Sequence, residues 1–217
     1  VIGEVRRRVV RVLPEMISAL FSYMDDELLR LARDAKSNAV QSEYFAAMSN
    51  LEKAKKEVIQ AFNHDILDQI DRPKELQALL AERKAAELAR KQTEAKKTKL
   101  TLVDTDDFED WLAIANIISR SERAYEKYLQ DIRARMGMLV DAWGHKEANP
   151  IGTTVFCYAF DDAIHRVELT KDIRQKVYVG FEAKAVPLFF KLYVDTTRIL
   201  EDSQLFPDAD ESFFTPL

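Results

Sequence analysis

The stretch Leu13–Leu28 reads LPEMISALFSYMDDEL and indicates the fold class of this chain. Its apolar residues recur every three or four positions, which places them on one continuous face of an α-helix. They are Leu13, Met16, Ile17, Leu20, Phe21, Met24 and Leu28. We expect Pro14 in the first turn of this helix, and Asp25 with Asp26 as caps of a restart after Met24. The pattern predicts a long helix that is buried on one side.

Helical spacing of the same kind extends over most of the chain. A second helix is predicted after Ser37 and Asn38, and Pro73 ends it or begins the next element. Its predicted buried side carries Phe45, Met48, Leu51, Val58, Phe62 and Ile66.

The second half of the chain repeats the pattern. Asp104 and Thr105 are expected to cap a helix with a stripe at Trp111, Leu112, Ala115 and Ile118. Further helices are predicted to carry Tyr125 to Leu139, Val155 to Phe160, and Ile173 to Ile199. We expect Pro187 to kink the last helix, because proline removes a backbone donor. We read Asn149 and Pro150 as a turn.

The composition favours long helices in a reducing compartment. Five glycines and six prolines are too few to supply the turns of a sheet-rich fold of 217 residues. No stretch approaches the ~20 uncharged apolar residues of a membrane span. A single cysteine, Cys157, forms no internal disulfide and is expected to be inert core. We therefore predict an all-α bundle of long antiparallel helices, located in the cytoplasm.

A charged segment at residues 82–99 divides the predicted bundle. It holds seven basic and three acidic residues and is expected to form a helical arm or a linker. Leu100–Val103 is a short β-like run. We predict an N-terminal part at 1–81 and a C-terminal part at 100–217, packed together as one domain, and we expect the whole to be a piece of a longer protein.

Two histidines lie near carboxylates in patterns that metal sites use. His64 and Asp65 form an HD pair, but no histidine precedes His64 to complete the metal shell of a phosphohydrolase. Asp162 and His165 have the spacing of a di-iron carboxylate and histidine, but no second such pair is present. An exposed pair and a salt-linked surface pair are the favoured interpretations. A metal-dependent hydrolase at His64 or His165 is kept as an alternative.

Nucleophilic and phosphate-binding motifs are also missing from the sequence. Ser119, Ser121 and Cys157 do not lie in a glycine-flanked elbow, and the five glycines are isolated. We therefore expect no catalytic, cofactor-binding or metal-binding residue, and a protein that is not an enzyme.

Basic residues cluster at Arg6, Arg7, Arg8 and Arg11 and again from Arg83 to Lys99. They could contact phosphates of nucleic acid or anionic lipid. The net charge of −5 and the lack of interleaved aromatic residues favour solvated helix faces instead.

Large apolar residues in an acidic C-terminal segment are the candidates for partner contact. Leu205, Phe206, Phe213 and Phe214 need cover, either from this domain, from the continuation of the chain or from a foreign partner. Trp143, beside the loop that ends at Pro150, is a further candidate. The predicted partners are another protein, a second copy, or the rest of the longer chain.

Three stretches together resemble the amino-terminal part of domain-of-unknown-function family 1631, large bacterial proteins sometimes labelled thymidine phosphorylase. The first is Ser37–Phe45, SNAVQSEYF. The second is Leu100–Asp104, LTLVD, leading into Phe108 and Glu109. The third is Asn149–Gly152, NPIG, followed by the apolar helix with Cys157 and Phe160.

The resemblance implies a role but no activity. Nothing in these residues supports the phosphorylase label. Longer members of that family continue into more helical sequence and can end in a PilZ-like domain, the type that binds cyclic di-GMP through an arginine-rich motif and a short β-motif. Neither motif is present here, so this chain is not expected to bind the dinucleotide. We predict a non-enzymatic helical interaction or regulatory module of a larger protein.

Overall fold

The computed structural model describes residues 1–94, 102–140 and 149–203, and the regular structure of these residues consists of seven α-helices. The predicted all-α bundle is confirmed. The helices are α1 Ile2–Arg33, α2 Asn38–Asp71, α3 Pro73–Glu94, α4 Leu102–Leu139, α5 Thr153–Ile164, α6 Lys171–Lys184 and α7 Val186–Asp202. The division of the chain at 82–99 stays a prediction, although α3 extends helical structure to Glu94.

The stretch Leu13–Leu28 lies within one unbroken helix, α1. Its seven apolar residues are each 2% exposed or less. The predicted restart at Asp25 is wrong, and Pro14 lies inside the helix and not in its first turn. Val5, Val9 and Val12 continue the buried face upstream of Pro14. Packing of that extended face outweighs the one hydrogen bond that an internal proline removes.

α2 folds back on α1 as an antiparallel hairpin. Gln41 at its start donates to the Ala32 carbonyl (3.0 Å), and Asp71 at its end accepts from Arg6 (3.0 Å). The predicted start is confirmed, because Ser37 Oγ accepts from the amide of Val40. The predicted buried position of Phe45 is wrong: this side chain is 47% exposed.

α4 is a single helix where the sequence predicted a β-like run, a cap and two helices. Leu102 and Val103 are helical, and Asp104 and Thr105 lie inside the helix rather than capping it. The buried positions are Ile114 and Ile117, whereas Leu112, predicted in the stripe, is 40% exposed. The predicted face was therefore wrong by part of a turn.

α5 is the most apolar helix and packs between α2 and α4. The turn before it is confirmed: Asn149 Oδ1 accepts from the amide of Ile151 (3.1 Å). Aromatic rings connect α5 to α6 and α7. Phe160 stacks on Phe181 with ring centroids 3.9 Å apart, and Phe156 lies 5.0 Å from Phe189.

α6 and α7 follow each other with only Ala185 between them, two residues before Pro187. The sequence predicted one long helix with a kink at Pro187, whereas the structure has two helices, and Pro187 lies in the first turn of the second. Both helices run antiparallel to α1: Gly180 lies against Met24, and Asp195 pairs with Arg8. A Cβ at Gly180 would lie 2.9 Å from the Met24 sulfur, so the backbones approach closely here. One side of the α6–α7 pair is thereby buried against α1, α4 and α5.

Candidate functional site

A buried polar cluster joins α4, α5 and α6. Asp110 of α4 is only 2% exposed. Its Oδ1 accepts from the Gln175 side-chain amide (2.7 Å), and its Oδ2 lies 2.7 Å from Nε of Arg174. Removing a carboxylate from water is costly unless it is paired, and these two α6 side chains supply the pairing.

His165, just after α5, lies between two carboxylates of this cluster. Its Nδ1 lies 2.9 Å from the backbone carbonyl oxygen of Asp161 and 3.2 Å from the side-chain Oδ1 of the same residue. Its Nε2 lies 3.6 Å from Oδ2 of Asp110. The hydrogen bond to Asp161 raises the pKa of His165 from 6.5 to about 9. The imidazole is therefore protonated at neutral pH, and both of its ring nitrogens then carry a proton.

This arrangement is suited to holding helices together. Asp161 also accepts from the Tyr178 hydroxyl (2.6 Å), and burial raises the pKa of that hydroxyl. The two carboxylates lie on opposite sides of the imidazole, so they do not converge with it on one point. Across the described residues, no group of three or more histidine, cysteine or acidic side chains is placed to hold a metal ion.

The partner predicted for His165, Asp162, is wrong; the observed partner is Asp161. Asp162 does not pair with His165 on the surface; it pairs with Arg83 of α3. The reason is the helix register, since Asp161 is one full turn before His165. His64 and Asp65 form the expected pair: Nδ1 of His64 lies 3.5 Å from Oδ1 of Asp65, and the histidine side chain is 77% exposed.

The hydroxyl and thiol candidates are not brought together with a base. Cys157 is fully buried, as predicted, and burial raises the pKa of its thiol. Ser121 is 2% exposed, and Ser119 is exposed.

Several basic residues that were considered for phosphate contact form ion pairs within the protein. Arg6 pairs with Asp71, and Arg8 pairs with Asp195. Arg83 also lies over the ring of Tyr158, 4.7 Å from its centroid. Residues 95–99 of the predicted arm lie outside the described residues.

The outward side of α6–α7 carries a row of apolar residues, which we call the outer stripe. It consists of Val179, Ala183, Pro187 and Phe190, all exposed, with exposed fractions of 61% for Val179 and 48% for Phe190. Val179 and Ala183 lie about one turn apart on α6, Pro187 and Phe190 lie about one turn apart on α7, and the helix break at Ala185 separates the two pairs. Single exposed apolar residues are ordinary, whereas contiguous exposed apolar surface marks binding sites.

The outer stripe has a basic edge. Lys184 at the end of α6 and Lys191 and Arg198 on α7 are all exposed, and the spacing of seven residues between Lys191 and Arg198 places these two on one side of α7. This side faces α1: Lys184 lies over the ring of Tyr23 (5.1 Å), and Lys191 is 3.9 Å from Glu15. The Lys191 and Glu15 side chains are each 55% exposed, so this ion pair is weak.

The opposite edge of the outer stripe is formed by α4. Arg120 donates to both carboxylate oxygens of Glu182, at 2.5 and 2.7 Å. Tyr128 meets Phe190 edge to face, with ring centroids 5.6 Å apart. This single aromatic contact leaves about half of the Phe190 surface in water.

The outer stripe was not predicted from the sequence, because only the buried face of this region was followed. Part of the signal was available: Val179 and Ala183 have helical spacing on a different side of α6 from Ile173, Val177 and Phe181. The residues that were predicted to contact partners, Trp143, Phe206, Phe213 and Phe214, lie outside the described residues.

Comparison with known proteins identifies one family. The model described as Protein of unknown function (DUF1631) N-terminal domain matches residues 1–204, which include all three stretches that carried the resemblance. No curated protein and no solved structure matches the chain. Across the described residues, no helix is long and apolar enough to cross a membrane.

Proposed function

This chain belongs to the DUF1631 N-terminal domain family, and from that premise we propose that it is a non-enzymatic, protein-binding helical module of a larger bacterial protein. The observation that supports the proposal is the outer stripe. Its four residues lie on the side of α6–α7 that faces away from the core, so the fold of the described residues does not require them to be apolar. Binding a protein segment would remove their surface from water.

The chemistry of the surface defines the partner. Lys184, Lys191 and Arg198 along one edge favour an acidic segment, because complementary charge guides association and fixes orientation. The outer stripe itself needs large apolar side chains, and Phe190 beside Tyr128 offers an aromatic anchor. We therefore propose an acidic protein segment that carries aromatic residues as the occupant.

A regulatory role follows from the family context. If the longer protein carries a separate PilZ-like domain, that domain would bind cyclic di-GMP, and this module would recruit or release a partner in response. Calorimetric titration of cyclic di-GMP into the 217-residue chain is then expected to give no binding heat. Saturable binding by this chain would contradict that division of labour.

Affinity capture with matched variants tests the proposed function. The 217-residue chain is immobilised beside a Val179→Glu, Phe190→Glu variant and a Leu112→Glu variant, and lysate of the source organism is passed over each. Leu112 is a suitable control because it is also apolar and 40% exposed but lies on α4. Circular dichroism first verifies that all three chains are helical, and Phe190→Ala is used if the double variant does not fold.

The proposal requires a protein that the wild type and the Leu112 variant retain equally, with at least about tenfold loss on the stripe variant. The same protein must then bind the purified chain directly. Equal retention on all three chains would contradict the proposal, and so would no retention either on these chains or on a chain that carries Phe213→Ala and Phe214→Ala. Retention of nucleic acid or anionic lipid in place of protein would also contradict it.

A further inference from the structure

We propose that the outer stripe is occupied by the chain's own C-terminal segment, residues 204–217, which thereby competes with other partners for this surface. The inference rests on the proposed function and names its regulation. The segment reads QLFPDADESFFTPL and combines the two properties that the surface selects. It holds four large apolar residues before its last two positions, namely Leu205, Phe206, Phe213 and Phe214.

The charges of the segment complement the basic edge. Asp208, Asp210 and Glu211 lie between its two pairs of large apolar residues, and the segment contains no lysine or arginine. The basic edge offers Lys184, Lys191 and Arg198. The segment therefore offers apolar groups for the outer stripe and acidic groups for the basic edge beside it. The net charge of the whole chain is −5, so this basic edge is a local exception.

The length of the segment also fits. α7 ends at Asp202, and Phe190 lies thirteen residues before Ser203, which is about 20 Å along the helix. The ten residues that follow Ser203, up to Phe213, can span up to about 33 Å when extended. Phe213 and Phe214 can therefore reach Phe190, and the chain then runs back along the helix that carries the stripe.

The family match ends where the segment begins. It covers residues 1–204 and leaves the acidic aromatic residues outside. This boundary separates the domain from the segment that we place on its surface. Because the two are joined through α7, the effective concentration of the segment is on the order of millimolar, and even weak contacts suffice for occupancy.

Calorimetric titration of a synthetic peptide of residues 204–217 tests the inference. The peptide is titrated into the 217-residue chain carrying Phe213→Ala and Phe214→Ala, whose own segment no longer competes. Binding is expected there, about tenfold tighter than to the wild-type chain. Adding Val179→Glu and Phe190→Glu is expected to abolish binding, whereas adding Leu112→Glu leaves it unchanged. A peptide with both phenylalanines replaced by alanine is the negative control.

Two results would overturn the inference: no peptide binding to the Phe213→Ala, Phe214→Ala chain, or equal binding when the outer stripe carries glutamates. Phe190→Ala provides a milder second variant if the glutamate variant fails to fold. If the peptide does not bind but a captured protein still depends on Val179 and Phe190, only this inference fails and the proposed function stands. If neither depends on the stripe, both fail.

Discussion

The two sides of the α6–α7 pair differ in what covers them, although both carry apolar residues. Phe189 and Phe190 are chemically identical neighbours. Phe189 is fully buried and touches Phe156, Phe181 and Tyr193. Phe190 is 48% exposed and meets one ring, that of Tyr128. The position of the neighbouring helices, and not the residue type, decides which phenylalanine contributes to the core.

This difference separates stability from binding. Residues on the inner side lose stabilising contacts when they are truncated, whereas residues on the outer stripe have few contacts to lose. If the outer stripe binds a protein segment, its substitution should affect association far more than folding.

Truncating the two phenylalanines separately should give the largest contrast. Phe189→Ala leaves a cavity among packed rings and is expected to lower the free energy of unfolding by about 3–5 kcal/mol. Phe190→Ala is expected to lower it by less than about 1 kcal/mol, because only its edge contact with Tyr128 is lost. Urea unfolding of both variants measures this. Similar losses for the two would contradict the assignment of inner and outer sides.

Adding bulk should repeat the contrast with small residues. Gly180→Val is expected to lower the free energy of unfolding by about 2 kcal/mol, since a Cβ there already lies 3.0 Å or less from atoms of Met24 and Leu20. Ala183→Val, three residues later on the outer stripe, should change it by less than about 0.5 kcal/mol. Thermal unfolding compares the two, and a tolerated Gly180→Val would argue against the close approach of α6 to α1.

The pH dependence of stability tests the polar cluster. Because the folded-state pKa of His165 is raised from 6.5 to about 9, its protonation stabilises the fold below pH 6.5, and that contribution is lost as the pH rises through about 9. The side chain is 39% exposed, so solvent screening limits the effect to about 1 kcal/mol.

The comparison variant for this effect is His165→Gln, which cannot be protonated. Urea unfolding at pH 6 and pH 9.5 should show the wild-type chain losing about 1 kcal/mol more than the variant over this interval. Parallel losses in both chains would mean that His165 does not stabilise the fold through its charge.

The smallest effect on stability is expected for the outer stripe itself. Val179→Glu combined with Phe190→Glu should change the free energy of unfolding by less than about 1 kcal/mol, because both side chains are about half exposed or more. Chemical unfolding beside the Leu112→Glu control measures it. A loss comparable to that of Phe189→Ala would place these residues in the core and remove the basis of the proposed function.

The sequence predicted the fold class well because helical spacing in α1 and the scarcity of glycine and proline both indicate helices. It predicted boundaries less well. Asp104 and Thr105 have the chemistry of caps, yet α4 continues through them. Propensity at a single residue is worth about 1 kcal/mol and is outweighed by the burial of a long helix face.

The candidate surface could not be identified from the sequence in the same way. Phe45, Leu112 and Phe190 look like core residues in a pattern of apolar spacing, and each is 40% exposed or more. Spacing places a residue on a face of a helix but does not say whether another helix covers that face. The second carboxylate beside His165 was also missed, because Asp110 lies 55 residues earlier in the chain and spacing within one helix does not reveal contacts with another.

Thiol labelling of Ala183→Cys by iodoacetamide tests whether the chain's own C-terminal segment covers the outer stripe. Cys157 is fully buried and should not react. The labelling rate is measured once with the wild-type C-terminal segment and once with Phe213→Ala and Phe214→Ala. Ala46→Cys, at an exposed position of α2, is the control. We expect that replacing the phenylalanines accelerates labelling at position 183 about tenfold and leaves labelling at position 46 unchanged. Equal rates at position 183 would mean that the segment does not cover the outer stripe.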